Sequence, residues 1–185
     1  QSLSGRKQAV KVNITSTAKH FRVFNKDGIE VPAQSKILSE KEKEVTFLAD
    51  VASCSLTVYD LRESAEECNI SNELKISENY IENKYLTLKI DNNGDIYSIF
   101  DKRLKKELLK KPVRLCILNN VNSFDWPAWE IKYEDLCEKP YMYAKNPEIK
   151  IKDSGSALCS LEIIRTAGKS KFTQIISLDS ESEYL

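Results

Sequence analysis

Histidine is almost missing from this chain: His20 is the only one among 185 residues. A metal site needs clustered His, Cys, Asp or Glu, and His20 stands alone beside Phe21 at the start of an apolar stretch. A Ser-His-Asp site would have to use it, and nothing nearby marks a nucleophile. Glycine is scarce too. Its five copies are scattered singly, so no phosphate-cradling loop is present. Neither sign of charge is in excess, with 28 Lys and Arg against 28 Asp and Glu. Phosphate binding wants a basic surplus, so nucleic acid is not expected as the main partner, and no binding to an anionic membrane surface is expected. No apolar run approaches the roughly 18 residues that span a bilayer. The opening QSLSGRKQAV holds no apolar segment of signal-peptide length. The five cysteines, Cys54, Cys68, Cys116, Cys137 and Cys159, are odd in number, widely spaced and without a CxxC pair. They read as small buried or half-buried thiols in a reducing cytoplasm rather than a zinc ribbon or disulfide framework. The chain opens without Met and stops as a new segment begins, so it is expected to be cut from a longer polypeptide. A sheet interrupted at Leu185 would leave an unpaired strand edge that invites homo-oligomers.

What is present has a period of two. Val10, Val12 and Ile14 alternate with polar neighbours, and Phe21, Val23 and Phe24 precede the turn signal Asn25-Lys26-Asp27-Gly28. Residues 29–32, 45–49 and 55–61 read as further short strands. Together they predict a small β-sandwich. Residues 62–77 are polar and acidic and are expected to be a junction. The clearest local signal follows: residues 85–90 alternate, Asp91-Asn92-Asn93-Gly94 supplies a turn, and residues 95–100 return. That is a β-hairpin. Residues 101–111 suit a short amphipathic helix or the loop of a second hairpin. Residues 113–118 are strand-like, residues 132–147 irregular with Pro140 and Pro147 as breakers, and two long strands cover 157–165 and 170–178. The fold class is all-β, in two modules, with domains at 1–76 and 77–185.

Both tryptophans fall within Phe124-Asp125-Trp126-Pro127-Ala128-Trp129-Glu130-Ile131. Aromatic faces stack on the C–H faces of pyranose rings, while carboxylates accept hydrogen bonds from sugar hydroxyls. Trp126 and Trp129 with Asp125 and Glu130 are therefore candidate substrate-binding residues. Glycosidases work with two carboxyl groups about 5–10 Å apart, but carboxylates are common on surfaces and hydrogen-bonding frames. Tryptophan also buries a large area in cores. The box thus suits either packing, between β layers or against another domain, or the rim of a sugar cleft. Packing is the reading adopted.

The order of segments resembles the β-rich C-terminal half of glycoside hydrolase family 38, the α-mannosidases. Five stretches carry the resemblance: Ser2-Leu3-Ser4; Asp27-Gly28 with Val31-Pro32-Ala33-Gln34; Phe47, Ala49 and Val51 leading to Tyr59; Glu82-Asn83 and Tyr85 through Asp91, Gly94, Ile96, Ser98-Ile99, Asp101-Lys102 and Glu107-Leu108-Leu109; and Trp126-Pro127-Ala128-Trp129-Glu130-Ile131 followed by Tyr133. Gln174 fits the strand after it. Ala52 departs from the family's usual Pro after Val51, and Gln1 from its Asn.

The resemblance implies an Ig-like β-sandwich followed by part of a mutarotase-like β-supersandwich. It also implies a parent that hydrolyses α-mannosides with retention, through an Asp nucleophile and a zinc ion held by His and Asp residues. Those groups lie in an N-terminal catalytic domain that this chain lacks. No catalytic residue, metal ligand or cofactor is therefore expected here. The implied partners are that catalytic domain and, through the parent, mannose-containing glycans. The implied role is to brace the catalytic domain in a cytoplasmic enzyme. A stand-alone carbohydrate-binding module and a purely structural β-sandwich remain alternatives.

Overall fold

The computed structural model of the protein describes residues 4–183. Ser2 and Leu3 of the first resembling stretch, and Leu185 at the expected open edge, lie outside that range. The fold is all-β apart from one five-residue helix.

The first module is a sandwich. β1 (Arg6–Thr15), β2 (His20–Phe24), β3 (Glu30–Val31), β4 (Ala33–Ile37), β5 (Glu42–Val51) and β6 (Asp60–Ser64) form two three-stranded sheets, ordered β1-β5-β4 and β3-β2-β6. Period-two alternation turns Phe21, Val23, Ala33, Val45, Phe47 and Ala49 into one buried cluster, with Val10, Val12 and Ile14 of β1 packed against it. Between β2 and β3, Gly28 takes φ +73° and the Asn25 side chain accepts from the amides of Asp27 and Ile29. Pro32 separates β3 from β4, where the chain passes from one sheet to the other. Its missing N–H leaves no donor unpaired there, and its carbonyl accepts from Leu48.

The strand expected over 55–61 begins only at Asp60. Leu56 is fully exposed, and Tyr59 sets the boundary: its hydroxyl donates to the Asp50 carbonyl, accepts from the Asp50 amide, and its ring packs 5.0 Å from Phe47. β-branched residues without a neighbouring strand do not make a ladder. The expected junction over 62–77 is only partly irregular, because β6 runs to Ser64 and a strand starts at Lys75.

The second module faces two sheets across a core. β7 (Lys75–Ser77), β8 (Tyr80–Glu82), β9 (Leu86–Ile90), β10 (Ile96–Asp101) and β11 (Lys106–Glu107) form a meander. The expected domain limit between 76 and 77 falls inside β7. β12 (Cys116–Ile117) and, after the helix α1 (Tyr133–Cys137), β13 (Met142–Tyr143) form a two-stranded ribbon. β14 (Lys145–Ser154), β15 (Leu158–Ala167) and β16 (Ser170–Asp179) make the second large sheet. Ile81, Leu86, Leu88 and Ile90 of the meander meet Cys159, Leu161, Ile163 and Leu178 of that sheet in one buried cluster.

The expected hairpin is β9–β10, with a turn of a different kind. Only Gly94 has positive φ, at +76°; Gly94 N donates to Asp91 O, Asp91 N to Asp95 O, and Asp91 Oδ1 accepts from Asn93 N and Asp95 N. This is a type I turn closed by a left-handed glycine rather than a two-residue turn. Residues 101–111 form the second hairpin, not a helix. Asp101 Oδ1 accepts from the amides of Arg103 and Leu104, and Glu107 returns the chain. The Ser98 hydroxyl and the amides of Leu109 and Ile99 hold the Glu107 carboxyl below the usual range. β14 is missing from the sequence reading because Pro147 looks like a breaker. It sits at a bulge between Lys145 and Glu148, beside Asn146 at φ +53°, on an edge strand, where a proline is tolerated.

The two modules are stitched together. Gln34 Oε1 accepts from the amides of Ala157 and Leu158, the Ser156 hydroxyl donates to Ala33 O, and Ala9 N donates to Asp179 Oδ2. Asp153, buried at the same seam, receives Ser160, Lys11 and Lys36. Burial alone would raise its pKa, but the Ser160 hydrogen bond and the two lysines outweigh burial and hold it low.

Candidate functional site

The tryptophan box projects from the β12–β13 ribbon. The ribbon pairs Cys116 with Tyr143 and Ile117 with Met142, and residues 118–141 leave it and return. Inside this excursion the backbone turns tightly: the amides of Trp129 and Glu130 both donate to Trp126 O. Pro127 and Ala128 complete that turn.

Side chains that sequence reasoning passed over hold the excursion in place. Asn120 Nδ2 donates to the carbonyls of Pro127, at 2.9 Å, and Glu130, at 3.0 Å. Asp135, only 1% exposed, accepts from the amides of Val121 and Asn122 and from Asn122 Nδ2. Asp135 lies in α1, so the helix anchors the loop before it. The buried Ser123 hydroxyl donates to Glu130 Oε2 at 2.8 Å. In the sequence, Asp135 is one acid of an acidic pair, and nothing local marks it as the buried one.

The expectation that the tryptophans pack between β layers is not met within this chain. Trp126 is 58% and Trp129 76% exposed, and the two rings stack on each other at 5.6 Å with 19° between their planes. Phe124, Ile131, Tyr133, Leu136 and Tyr141 are exposed around them. Asp125 faces solvent, whereas Glu130 is half-buried and bonded to Ser123. The four candidate residues therefore share one short turn but differ in availability: Trp126, Trp129 and Asp125 are open, and Glu130 serves the frame.

Below the ribbon lies an open cleft of about 640 Å³ that includes Asp95, Lys111, Arg114, Pro140 and Tyr143. Its one aromatic face is taken: the Arg114 guanidinium lies 3.6 Å from the Tyr143 ring centroid. Arg114 Nε also donates to Asp95, which is bound from the core side by the buried Arg165. The cleft's charges are thus largely spent on one another.

A zinc site of the kind the resemblance implies does not fit the residues present. Among the described residues no group of three or more His, Cys, Asp or Glu could hold a metal ion, and Nδ1 of His20 lies 3.6 Å from the exposed Glu67. All five cysteines are thiols rather than disulfides. Burial raises the pKa of Cys159, which keeps it an inert core thiol. No helix among the described residues is long and apolar enough to cross a membrane.

Comparison with known proteins agrees with this architecture. The model of the glycosyl hydrolases family 38 C-terminal domain matches residues 81–185. Among solved structures, a protein in glycosyl hydrolase family 38 from Enterococcus faecalis superposes with a TM-score of 0.57 at 13% identity, a likeness of fold. The superposition covers 98% of this chain and 29% of that one, so the chain spans less than a third of the length of the protein it matches. Among curated proteins none matches. With the family model covering more than half of its residues, from β8 through the rest of the second module, the chain belongs to glycosyl hydrolase family 38 through that family's C-terminal domain.

Proposed function

We propose that this chain is the non-catalytic β region of an α-mannosidase, and that it braces a catalytic domain carried elsewhere in the parent protein. One observation carries the reading. An aromatic face built around Trp126 and Trp129 stands exposed, yet Asn120, Ser123 and Asp135 hold it rigid from behind. A preordered apolar face of this kind loses little entropy on docking, and exposed aromatic clusters mark interaction surfaces. The zinc ion and the nucleophile belong, in this reading, to the docked domain. Mannose-containing glycans are substrates of the assembled protein. The thiol state of all five cysteines supports a reducing cytoplasm as its location.

A second reading follows from the 76% exposure of Trp129, which leaves ring surface open to a sugar. Trp126 and Trp129 would then stack on mannose, and Asp125 would accept from its hydroxyls. Titrating mannobiose into the chain while following tryptophan fluorescence separates the two. The bracing role predicts no response up to millimolar sugar. It also predicts that the parent protein carrying Trp126→Ala and Trp129→Ala loses resistance to proteolysis between its domains, together with mannosidase activity. A parent that keeps both, or an isolated chain that splits an α-mannoside unaided, would overturn the bracing role.

A further inference from the structure

We infer that Asp95 is the positioning residue of the aromatic face: its carboxylate, shared between a core arginine and a ribbon arginine, fixes how the β12–β13 ribbon carries Trp126 and Trp129. The value of that orientation for docking rests on the bracing role; the joint itself does not.

The ribbon has little else to hold it. It is a two-stranded sheet of its own, outside both large sheets of the second module. Among the described residues, none between 112 and 144 belongs to either apolar cluster or to the apolar residues packed against one. An element with no share in a core takes its placement from polar contacts and chain connections. β13 runs on into β14, but the ladder there breaks directly after Lys145, beside Asn146 at φ +53°. On the other side the ribbon's entering chain meets the meander at one isolated bridge, Ile96 with Val113.

Asp95 stands next to that bridge, so consecutive residues, 95 and 96, grip consecutive residues, 114 and 113, by side chain and by backbone. The base of the grip is fixed. Asp95 N donates to Asp91 Oδ1, and Asp95 O accepts from Asp91 N. Its side chain is buried, with Oδ1 accepting from Arg165 and Oδ2 from Arg114 Nε at 3.0 Å. Arg165, also buried, is held in turn by Gln174 and the Asn93 carbonyl. Among the described residues Asp95 is its only ion-pair partner, and its Nε has no acceptor at all, so no second carboxylate stands ready. Arg114 leads into β12 while its guanidinium lies over the Tyr143 ring of β13, so the bond from Asp95 reaches both strands of the ribbon. A carboxylate with each oxygen on a different guanidinium has its plane set by both. Without it the two cations would repel. Asp135 thus sets the internal shape of the tryptophan box, and Asp95 sets the direction in which the box points.

Order parameters from residual dipolar couplings of the labelled chain test this. In the wild type the amides between 124 and 131 should be as ordered as those of β15, at about 0.85. Arg114→Ala leaves the buried Arg165–Asp95 pair intact. It should lower the values between 124 and 131 below about 0.6, with β15 and the near-UV circular dichroism of the tryptophan pair unchanged. Arg114→Lys keeps a cation between Asp95 and Tyr143 and should recover most of the loss. Asp95→Asn should free the box in the same way and also lower the unfolding midpoint, because Arg165 loses its counter-charge; the two Arg114 variants decide the matter if it does not fold. Unchanged order in Arg114→Ala overturns the inference. So does an Arg114→Lys variant as mobile as Arg114→Ala, or loss of the near-UV signal together with the order, which would make Asp95 part of the box's own frame. In the parent protein Arg114→Ala should also ease proteolysis between the domains. A mobile box in the chain with an equally resistant parent would keep the joint and remove the bracing role.

Discussion

Gly94 sits at φ +76°, and a Cβ there would lie 2.8 Å from Ile163 Cγ2 and 3.3 Å from Pro147 Cβ. Gly28 has nearly the same φ, +73°, with nothing within 4 Å of where a Cβ would go. The pair separates backbone strain from crowding. Gly28→Ala should cost about 1 kcal/mol, the left-handed penalty alone, whereas Gly94→Ala should cost about 2–4 kcal/mol because the core of the second sandwich must also give way. Denaturant midpoints of the two variants would show the difference, and equal losses would mean that Ile163 shifts freely. The residues that carry the family resemblance have structural tasks of the same local kind. Asn83, fully buried, accepts from the amides of Tyr85 and Leu86 and donates to the carbonyls of Asp179 and Ser182, so all four of its bonds are made. Lys102 returns to Glu82 and to Asn83 O.

Among the elements, the tryptophan box is the one whose conformation depends least on either core. Its frame is a set of hydrogen bonds centred on Asp135, a buried carboxylate with three donors. Asp135→Ala leaves two loop amides without their acceptor and should release the excursion between β12 and β13. Because Trp126 and Trp129 stack at 5.6 Å, their coupled near-UV circular dichroism reports on the frame. The expected outcome is loss of that signal, with the unfolding free energy of the sandwiches changed by less than about 1 kcal/mol. A retained signal would show that the aromatic stack, not Asp135, sets the turn.

For the molecule as a whole, the seam between the sandwiches contributes to how stability depends on pH. The folded pKa of Asp153 is depressed. Its contribution is therefore complete above the unfolded value, about 3.9, and is lost as pH falls through the folded one. Asp153→Asn should lower stability by about 1–3 kcal/mol near neutrality, and the gap from wild type should close as both proteins are melted at progressively lower pH below about 4. A gap that stays constant into acid would remove Asp153 as its source. Gln34 acts at the same seam without titrating, so Gln34→Ala should weaken it at every pH.

The alternation of apolar and polar residues was enough to read an all-β chain and its first sandwich from the sequence, because period two admits only strands with one face inward. The β9–β10 hairpin was legible for the same reason, with Asp91 and Gly94 marking its turn. Local pattern could not reveal β14, since Pro147 breaks a strand everywhere except at an edge or a bulge, and being an edge is a property of the sheet. Nor could it tell that residues 55–58 find no neighbouring strand, that Asp135 is buried while its neighbour Glu134 is not, or that Trp126 and Trp129 face solvent. Each of these depends on which distant groups come within hydrogen-bonding or packing distance, and only the closed fold supplies those distances.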